Sequence, residues 1–314
     1  MKTVKDFLWK PGISVEELVD SYGSLGYQAT ELNEAVKVVL KMKRSGAKVF
    51  LTFTSNMVTS GLRGFFAQLC KMNIPNILVT TSGSIEEDIM KSMGDKFEIS
   101  NFHADDTAMH ERGENRVGNL LIRNESYMKF EDKMNDMLEK VYEKQKRISS
   151  SELLREIGLM IEDNNSILSQ AAKNNIPIYC PGIADSSFGF HLFMFQQKHD
   201  DFIVDTILDM KRIVTDLSFD EKKGLISLGG SISKHYAIFS ALLSGGFDYA
   251  VYMTTSHSTS GSLSGATTQE AKSWGKLKDD AEAATVNGDV AITFPLMMTS
   301  ALDKLEKEGL LKNE

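Results

Sequence analysis

The feature that most constrains the fold of this chain is a repeated alternation between short apolar runs and longer segments of helical periodicity. The runs are rich in β-branched and aromatic residues and lie at 48–54, 76–81, 176–180, 224–229, 248–255 and 289–294. Such runs are typical of parallel strands that are buried on both faces. We therefore predict an α/β fold with a doubly wound, mainly parallel sheet and helices on both faces.

Helical periodicity is clearest over residues 127–147, where apolar side chains from Phe130 to Tyr142 recur three or four residues apart. Two helical patterns precede the first predicted strand and end at Gly23 and Gly46, where left-handed caps are expected. No linker-like segment, internal repeat or shift in composition interrupts the rest of the chain. The predicted organisation is a helical N-terminal extension over residues 1–46 and one domain over residues 47–314.

Charge and hydropathy argue against two classes of partner. The net charge is −8, and no basic stripe of the kind that binds nucleic acid is present. No apolar stretch approaches the roughly 18 residues that span a membrane, and the first residues lack the apolar core of a signal peptide. We expect a cytoplasmic protein, and the acidic balance suits a cationic substrate or a basic protein partner.

Small polar residues are concentrated where the predicted strands end, at 52–61, 79–88, 180–189, 228–235 and 253–265. In open parallel sheets ligands bind at this edge, because backbone N–H groups and helix dipoles point toward it. The chain has no GxGxxG fingerprint and no GxxxxGK loop, so neither standard nucleotide motif is present. Each loop taken alone is more typical of a turn than of a ligand site.

The acidic pair Glu86-Glu87 has two interpretations. Ser84 and Glu87 have the spacing of a capping box, and acidic residues in a first helical turn complement the helix dipole. Alternatively, the pair faces a cation or a ribose at a strand end. Asp185 is equally open to interpretation as a turn residue or as a site residue.

Histidine and cysteine give no sign of a metal site. His235 follows a Gly-Gly turn at a strand end and is the best site candidate among the six histidines, although a helix-start role explains it equally well. The other histidines have no ligand spacing. Cys70 and Cys180 lie in apolar surroundings and are interpreted as buried thiols in a reducing compartment.

The segment Trp274-Gly275-Lys276 places an amine directly after a large ring and a flexible residue. Most lysines are solvated side chains, and that is the plain interpretation of this one. The alternative interpretation is a functional amine. Gly275 would let the backbone place such an amine without an intervening side chain.

Several segments, in this order, resemble deoxyhypusine synthase: TSNMVTSG, VTTSGSIEED, ENRVGNLLIRNESYMKFED, LGGSISKH, DYAVYMTT and EAKSWGK. The similarity extends from YGSLGYQAT at residues 22–30 to DVAITFPL at residues 289–296, and the block around SWGK is the most specific. The resemblance implies a Rossmann-like homotetramer in which residues 47–314 form the NAD-binding catalytic domain.

In that family NAD oxidises spermidine, and the aminobutyl group passes to an enzyme lysine as an imine. The group then passes to a lysine of the hypusine-containing translation factor, and the reduced cofactor returns its hydride. The resemblance makes Lys276 the imine-forming lysine and His235 a second catalytic residue.

The resemblance also assigns binding residues. The NAD site would comprise Ser55, Asn56, Met57, Val58, Thr59, Thr81, Ser82, Gly83, Glu87, Asp185, Gly229, Gly230, Thr255, Ser256, Asp289 and Val290. The polyamine would be bound by Glu86, Glu87, His235, Gly261, Glu270, Trp274 and Lys276.

Two positions depart from the eukaryotic pattern, because Phe190 and Leu263 stand where the family has aspartates that contact the polyamine. Three functions are therefore carried forward. They are deoxyhypusine synthesis, a related transfer that uses agmatine as donor or a small amine as acceptor, as homospermidine synthases do, and a silent NAD-binding subunit that activates a paralogue.

Overall fold

The computed structural model describes residues 3–311, which fold into two compact units. The first unit takes the chain up to Phe53, the segment Met72–Val79 and the chain from Met210 onward. The second unit takes Thr54–Lys71 and Thr80–Asp209. The boundary expected at residue 46 stays a prediction.

The helices, in chain order, are α1 (Val15–Tyr22), α2 (Gln28–Arg44), α3 (Ser55–Met57), α4 (Arg63–Lys71), α5 (Ser82–Ser92), α6 (Asp106–Glu111), α7 (Asn124–Tyr142), α8 (Ser150–Leu159), α9 (Ile167–Lys173), α10 (Ser187–Gln196), α11 (Thr206–Thr215), α12 (Ser231–Leu242), α13 (Thr268–Ser273) and α14 (Val290–Lys307). A π-helical turn covers Val58–Leu62, and a 3-10 turn covers Ser258–Ser260.

The strands are β1 (Lys48–Thr52), β2 (Ile77–Val79), β3 (Glu98–Ile99), β4 (Glu114–Val117), β5 (Leu120–Arg123), β6 (Arg147–Ile148), β7 (Ile178–Tyr179), β8 (Ile203–Val204), β9 (Lys223–Leu228), β10 (Phe247–Thr254) and β11 (Leu277–Asn287).

The sheet of the first unit is parallel. Its strands follow the order β11, β10, β9, β1 and β2, and every adjacent pair of them is parallel. Leu51 of β1 lies opposite Ile226 of β9, which lies opposite Val251 of β10, and all three are buried. Helix α2 packs against β10 and β11, and α12 packs against β1 and β9. The predicted α/β fold with a mainly parallel sheet is confirmed.

The strand predicted at residues 289–294 is wrong. Asp289 caps α14 by accepting the N–H of Ala291 at 2.7 Å, and the apolar residues that follow recur at helical spacing on its buried face. The final strand is β11, which pairs with β10. It escaped prediction because exposed acidic residues such as Asp279 and Asp280 interrupt its apolar positions.

Gly46 has the left-handed conformation expected of it, with φ 68°. The same expectation is wrong for Gly23, whose φ is −63°. Gly23 is needed for another reason, because a Cβ there would lie 2.6 Å from Oδ1 of Asn33. The Asn33 amide donates to the Val19 carbonyl at 2.9 Å and thereby ties α2 to α1.

The second unit is mainly helical. The predicted amphipathic helix is α7, whose buried face includes Phe130, Met134 and Leu138. Arg63 and Asp88 form a buried ion pair at 2.5 Å, and Asp88 also accepts the N–H groups of Ile167 and Leu168 at the start of α9. A short antiparallel sheet has the strand order β3, β5, β4, and β6 pairs with β8 in parallel.

Within residues 3–311, no helix combines the length and apolar character needed to cross a membrane. The same part of the chain contains no group of His, Cys, Asp and Glu side chains arranged to hold a metal ion. Cys70 and Cys180 are both free and buried, and burial raises the pKa of the Cys180 thiol to about 12.

Candidate functional site

Lys276 is positioned by the end of α13. The helix stops at Trp274, and Gly275 takes a left-handed conformation with φ 66°. The N–H of Gly275 donates to the Lys272 carbonyl at 2.9 Å, and the N–H of Lys276 donates to the Ala271 carbonyl at 3.1 Å. This pair of bonds is the Schellman motif, which favours glycine at the left-handed position. The turn carries the chain directly from the helix into β11 and fixes the backbone of Lys276.

The side chain of Lys276 lines a small pocket of the first unit. Lys276 is 9% exposed, and its Nζ lies 4.9 Å from the centre of the Trp274 ring. Trp274 itself is 65% exposed. Glu270 lines the same pocket and supplies a carboxylate. The structure therefore brings together three of the predicted polyamine residues.

A second lysine in this pocket was missed by sequence reasoning. Lys234 of α12 is completely buried, and its Nζ donates to the carbonyls of Leu263 at 3.0 Å and Ala266 at 2.8 Å. The same Nζ lies 3.9 Å from the centre of the Tyr252 ring. The pKa of Lys234 is lowered to about 8, chiefly by burial and also by the charge of Lys276, while Glu270 opposes the shift.

The spacing of apolar residues in α12 could have identified Lys234 from the sequence. Lys234 shares its helical face with Ala237, Ile238 and Ala241, all of which are buried. A lysine on the apolar face of a helix is unusual, because a buried charge is costly unless it has partners. The short segment SISKHYAIF could therefore have pointed to Lys234 as readily as to His235.

His235 and Gly261 lie elsewhere in the first unit. His235 is exposed on α12 and stacks on Phe239, with ring centres 6.0 Å apart. Gly261 ends the 3-10 turn in a left-handed conformation and is also exposed. Neither residue lines the Lys276 pocket.

The predicted cofactor residues of the first unit lie at strand ends and helix starts. Gly229 donates to the Met253 carbonyl at 2.7 Å, and a Cβ on Gly230 would lie 2.3 Å from Oγ of Ser264. Thr255 and Ser256 follow β10, and Thr255 is exposed. Asp289 is the N-cap of α14, and Val290 is buried as its first residue.

The acidic pair lies in the second unit and does not form the capping box. Helix α5 starts at Ser82 with Thr81 as N-cap, so the assignment of Ser84 as N-cap is wrong. The hydroxyl of Thr59 lies 2.7 Å from each carboxylate oxygen of Glu87 and donates its hydrogen to that carboxylate. Glu86 accepts the N–H of Phe188 at 3.0 Å. Both glutamates are buried, and the N-cap of α5 lies three residues earlier than predicted.

Burial sets the protonation of this pair. It raises the pKa of Glu87 to about 7, opposed by the Thr59 hydroxyl and by Lys91 and reinforced by Glu86. Burial also raises the pKa of Glu86, while the Phe188 N–H opposes the shift. Glu87 therefore exchanges its proton near neutral pH, where a small change of environment alters its charge.

Small polar residues at the start of α5 contact two other segments of the second unit. The N–H of Ser55 donates to the Thr81 hydroxyl at 3.1 Å, and a Cβ on Gly83 would lie 2.9 Å from the Cβ of Ser55. Ser82 donates to the Ile183 carbonyl at 3.0 Å and shares a hydrogen bond with Ser186. Of the remaining predicted residues, Met57 and Val58 are buried, and Asn56 and Asp185 are exposed.

The deoxyhypusine synthase family model matches residues 17–301. This chain belongs to the deoxyhypusine synthase family. It is 40% identical over 302 residues to the "Probable deoxyhypusine synthase" of Aeropyrum pernix, covering 95% of this chain and 97% of the relative. The relative of the same name from Halobacterium salinarum is 38% identical over 291 residues, covering 91% and 88%.

A solved structure agrees. The crystal structure of an Entamoeba histolytica protein described as a deoxyhypusine synthase has a TM-score of 0.69 and 25% identity. The match covers 96% of this chain and 97% of that one. Family membership thus holds over nearly the whole chain, by sequence and by fold.

The two departures from the eukaryotic deoxyhypusine synthase pattern have different surroundings. Leu263 lines the Lys276 pocket, and its carbonyl binds Lys234. Phe190 is 56% exposed on α10 in the second unit. Replacement of an aspartate by leucine leaves Glu270 as the carboxylate that lines the pocket with Lys234 and Lys276.

Proposed function

We propose that this protein transfers the aminobutyl group of spermidine to a lysine of the hypusine-containing translation factor, through an imine on Lys276 and with NAD as cofactor. The observation that carries the proposal is Lys276 itself, a buried amine that a Schellman turn fixes in the wall of a pocket holding a carboxylate. An amine in this setting reacts as a nucleophile whenever it is unprotonated.

The cluster around Glu87 fits the ribose of a dinucleotide. A carboxylate can accept hydrogen bonds from both ribose hydroxyls, as acidic residues do in other dinucleotide sites. Gly83 lets α5 pack directly against Ser55, because a Cβ there would lie 2.9 Å from the Cβ of Ser55. When bound, NAD supplies the hydride acceptor that converts an amine carbon of the donor into an iminium.

Each residue of the Lys276 pocket has a separate role in the transfer. Glu270 binds an ammonium group of the donor, Trp274 covers the amine from solvent, and Lys276 takes over the aminobutyl carbon. Water must stay out, because it would hydrolyse the imine before transfer. The negative net charge of −8 suits a cationic donor. We further propose a cytoplasmic homotetramer, from the family resemblance.

Borohydride trapping tests this function. Purified protein, NAD and labelled spermidine are mixed, reduced and digested, and the labelled peptide is mapped by mass spectrometry. We expect label on Lys276 and none in Lys276→Arg, because a guanidinium stays protonated and forms no imine. Lys272→Arg is the matched control, because Lys272 lies on α13, just before Lys276, and binds the Asp279 carbonyl instead of lining the pocket. Equal labelling of Lys276→Arg would refute the assignment.

Leu263 favours a second candidate function, in which the same chemistry serves another amine. A leucine in the pocket offers apolar contact to methylene groups but no partner for an ammonium. Agmatine would then serve as donor, or a small amine as acceptor. Incubation with each amine, with and without the translation factor, separates these reactions. Activity that appears only after addition of a paralogous subunit would instead indicate a silent activating role.

A further inference from the structure

The environment of Lys234 differs from that of an ordinary buried lysine. It is fully buried, it faces the same pocket as Lys276, and none of the ion pairs found within residues 3–311 includes it. Its partners are two carbonyls and the face of Tyr252. A cation is costly to bury in this position, and titratable groups in such environments cluster at functional sites.

The two carbonyls leave Lys234 free to change its protonation state. A charged ammonium has three N–H groups, of which two bind Leu263 and Ala266. A neutral amine keeps two N–H groups for the same carbonyls and places its lone pair in the third direction. Both states therefore keep both anchors, and only the third position gains or loses a proton.

Tyr252 provides a second observation. It lines the pocket, and within residues 3–311 its buried hydroxyl has no hydrogen-bond partner. Buried hydroxyl groups without partners are rare in folded proteins, and each is explained by a feature such as an ordered water, an ion or a catalytic role. The pocket beside Lys234 therefore has a hydroxyl group that can form a hydrogen bond with a polar atom of a bound molecule.

We propose that Lys234 carries the proton that must move between two nitrogen atoms when the aminobutyl group passes onto Lys276. This role rests on the proposed function, because it concerns one step of that reaction. It assigns to the pocket a second working lysine, in addition to the one that forms the imine.

The lone pair of Lys276 Nζ forms a bond to the iminium carbon of the oxidised donor, and the π electrons of the C=N bond move to the donor nitrogen. Neutral Lys234 accepts a proton from Lys276 Nζ and returns it to the donor nitrogen. The lone pair of Nζ then re-forms a C=N bond, and the C–N bond to the donor breaks. The donor amine leaves, and Lys234 ends as it began.

General acid–base catalysis is most effective when the pKa of the carrier lies near the working pH. Burial brings the pKa of Lys234 to about 8, so both protonation states are populated near neutrality. An arginine would keep the charge and the carbonyl bonds but would not release a proton.

Lys223 is a matched structural lysine. It is also fully buried, and its Nζ also donates to two carbonyls, those of Ser218 at 2.7 Å and Glu221 at 3.1 Å. It does not line the Lys276 pocket. Lys223→Arg therefore controls for the effect of placing a guanidinium on a buried pair of carbonyls.

The test is a single-turnover experiment on the full-length protein with NAD and spermidine, comparing wild type, Lys234→Arg, Lys234→Met and Lys223→Arg. Nicotinamide absorbance follows donor oxidation, and quenching with borohydride follows label on Lys276. For both Lys234 variants we expect transfer to Lys276 to slow by about 100-fold, within the range of general acid–base catalysis. We expect Lys223→Arg to retain the wild-type rate. Thermal unfolding and NAD binding verify that each variant is folded.

Two further readouts separate proton transfer from a structural clamp. The wild-type transfer rate should change across a midpoint near pH 8, and this inflection should be lost in Lys234→Arg. Methylamine should partly restore transfer in Lys234→Ala. Full activity of Lys234→Arg, with loss of activity confined to Lys234→Met, would show that Lys234 only anchors the carbonyls of Leu263 and Ala266. Absence of label on Lys276 in the wild type would instead refute the proposed function itself.

Discussion

The glycine that precedes Lys276 allows the positioning of the amine to be tested separately from its chemistry. Gly275 has φ 66°, and a Cβ there would lie 3.4 Å from Cδ1 of Leu242, which is an ordinary contact. Gly275→Ala therefore causes conformational strain rather than a clash. A non-glycine residue in the left-handed region costs about 1–2 kcal/mol. Thermal unfolding should accordingly occur about 2–8 °C lower than in wild type.

Gly309 supplies an unusually close control. It ends α14 with φ 67°, its N–H donates to the Glu306 carbonyl at 2.9 Å, and the Leu310 N–H donates to the Leu305 carbonyl at 2.9 Å. This is the same Schellman motif, and a Cβ there would have no atom within 4 Å. Gly309→Ala should therefore lose a similar amount of stability.

The two variants should differ in imine formation. If the turn at Gly275 positions Lys276, strain there displaces the amine, and a displacement of about 1 Å can slow a reaction about 100-fold. We expect Gly275→Ala to form the trapped imine about 10- to 100-fold more slowly, and Gly309→Ala to match wild type. Gly275→Asn should recover most of the rate, because asparagine tolerates the left-handed region. Equal imine rates in both alanine variants would show that the turn does not position the amine.

Three other predictions concern the cofactor, the donor and the assembly. Ribose hydroxyls need an ionised carboxylate, so NAD affinity should rise as the pH increases through about 7, the pKa of Glu87. Isothermal titration calorimetry should show weak, pH-independent NAD binding in Glu87→Gln. Thr59→Val removes the hydrogen bond that lowers the pKa of Glu87, so the midpoint should move to higher pH; an unchanged midpoint would contradict this assignment. In competition assays with wild type, agmatine or putrescine should be nearly as effective as spermidine. The double variant Phe190→Asp with Leu263→Asp should restore preference for spermidine, with a gain in binding free energy of about 1.5–3 kcal/mol per carboxylate. Exclusive use of spermidine by wild type would contradict this prediction. Sedimentation should give a tetramer, and a fully active monomer would rule that out.

The candidate site was only partly predictable from the sequence. The Trp274-Gly275-Lys276 segment could be singled out because its turn is local, and the bonds that fix it join residues three and five positions apart. The acidic pair Glu86-Glu87 was identified from the sequence, but the prediction that it belongs to a capping box was wrong. Ser84 and Glu87 satisfy a local capping pattern, whereas the carboxylate of Glu87 binds Thr59, which lies 28 residues earlier. Local patterns do not reveal such a partner.

Fold class was determined by the sequence itself, because strands buried on both faces must be apolar throughout and their alternation with helices leaves few topologies. The prediction missed the edge strand β11 and placed a strand where α14 begins. The mainly apolar segment Val290–Phe294 is compatible with a strand or a helix, and only the cap at Asp289 and the packing of the residues beyond it select the helix. Only the tertiary structure placed Lys234 beside Lys276. The two lysines are 42 positions apart, on α12 and just before β11, and parallel pairing of the intervening strand β10 with both of its neighbours brings them to one pocket.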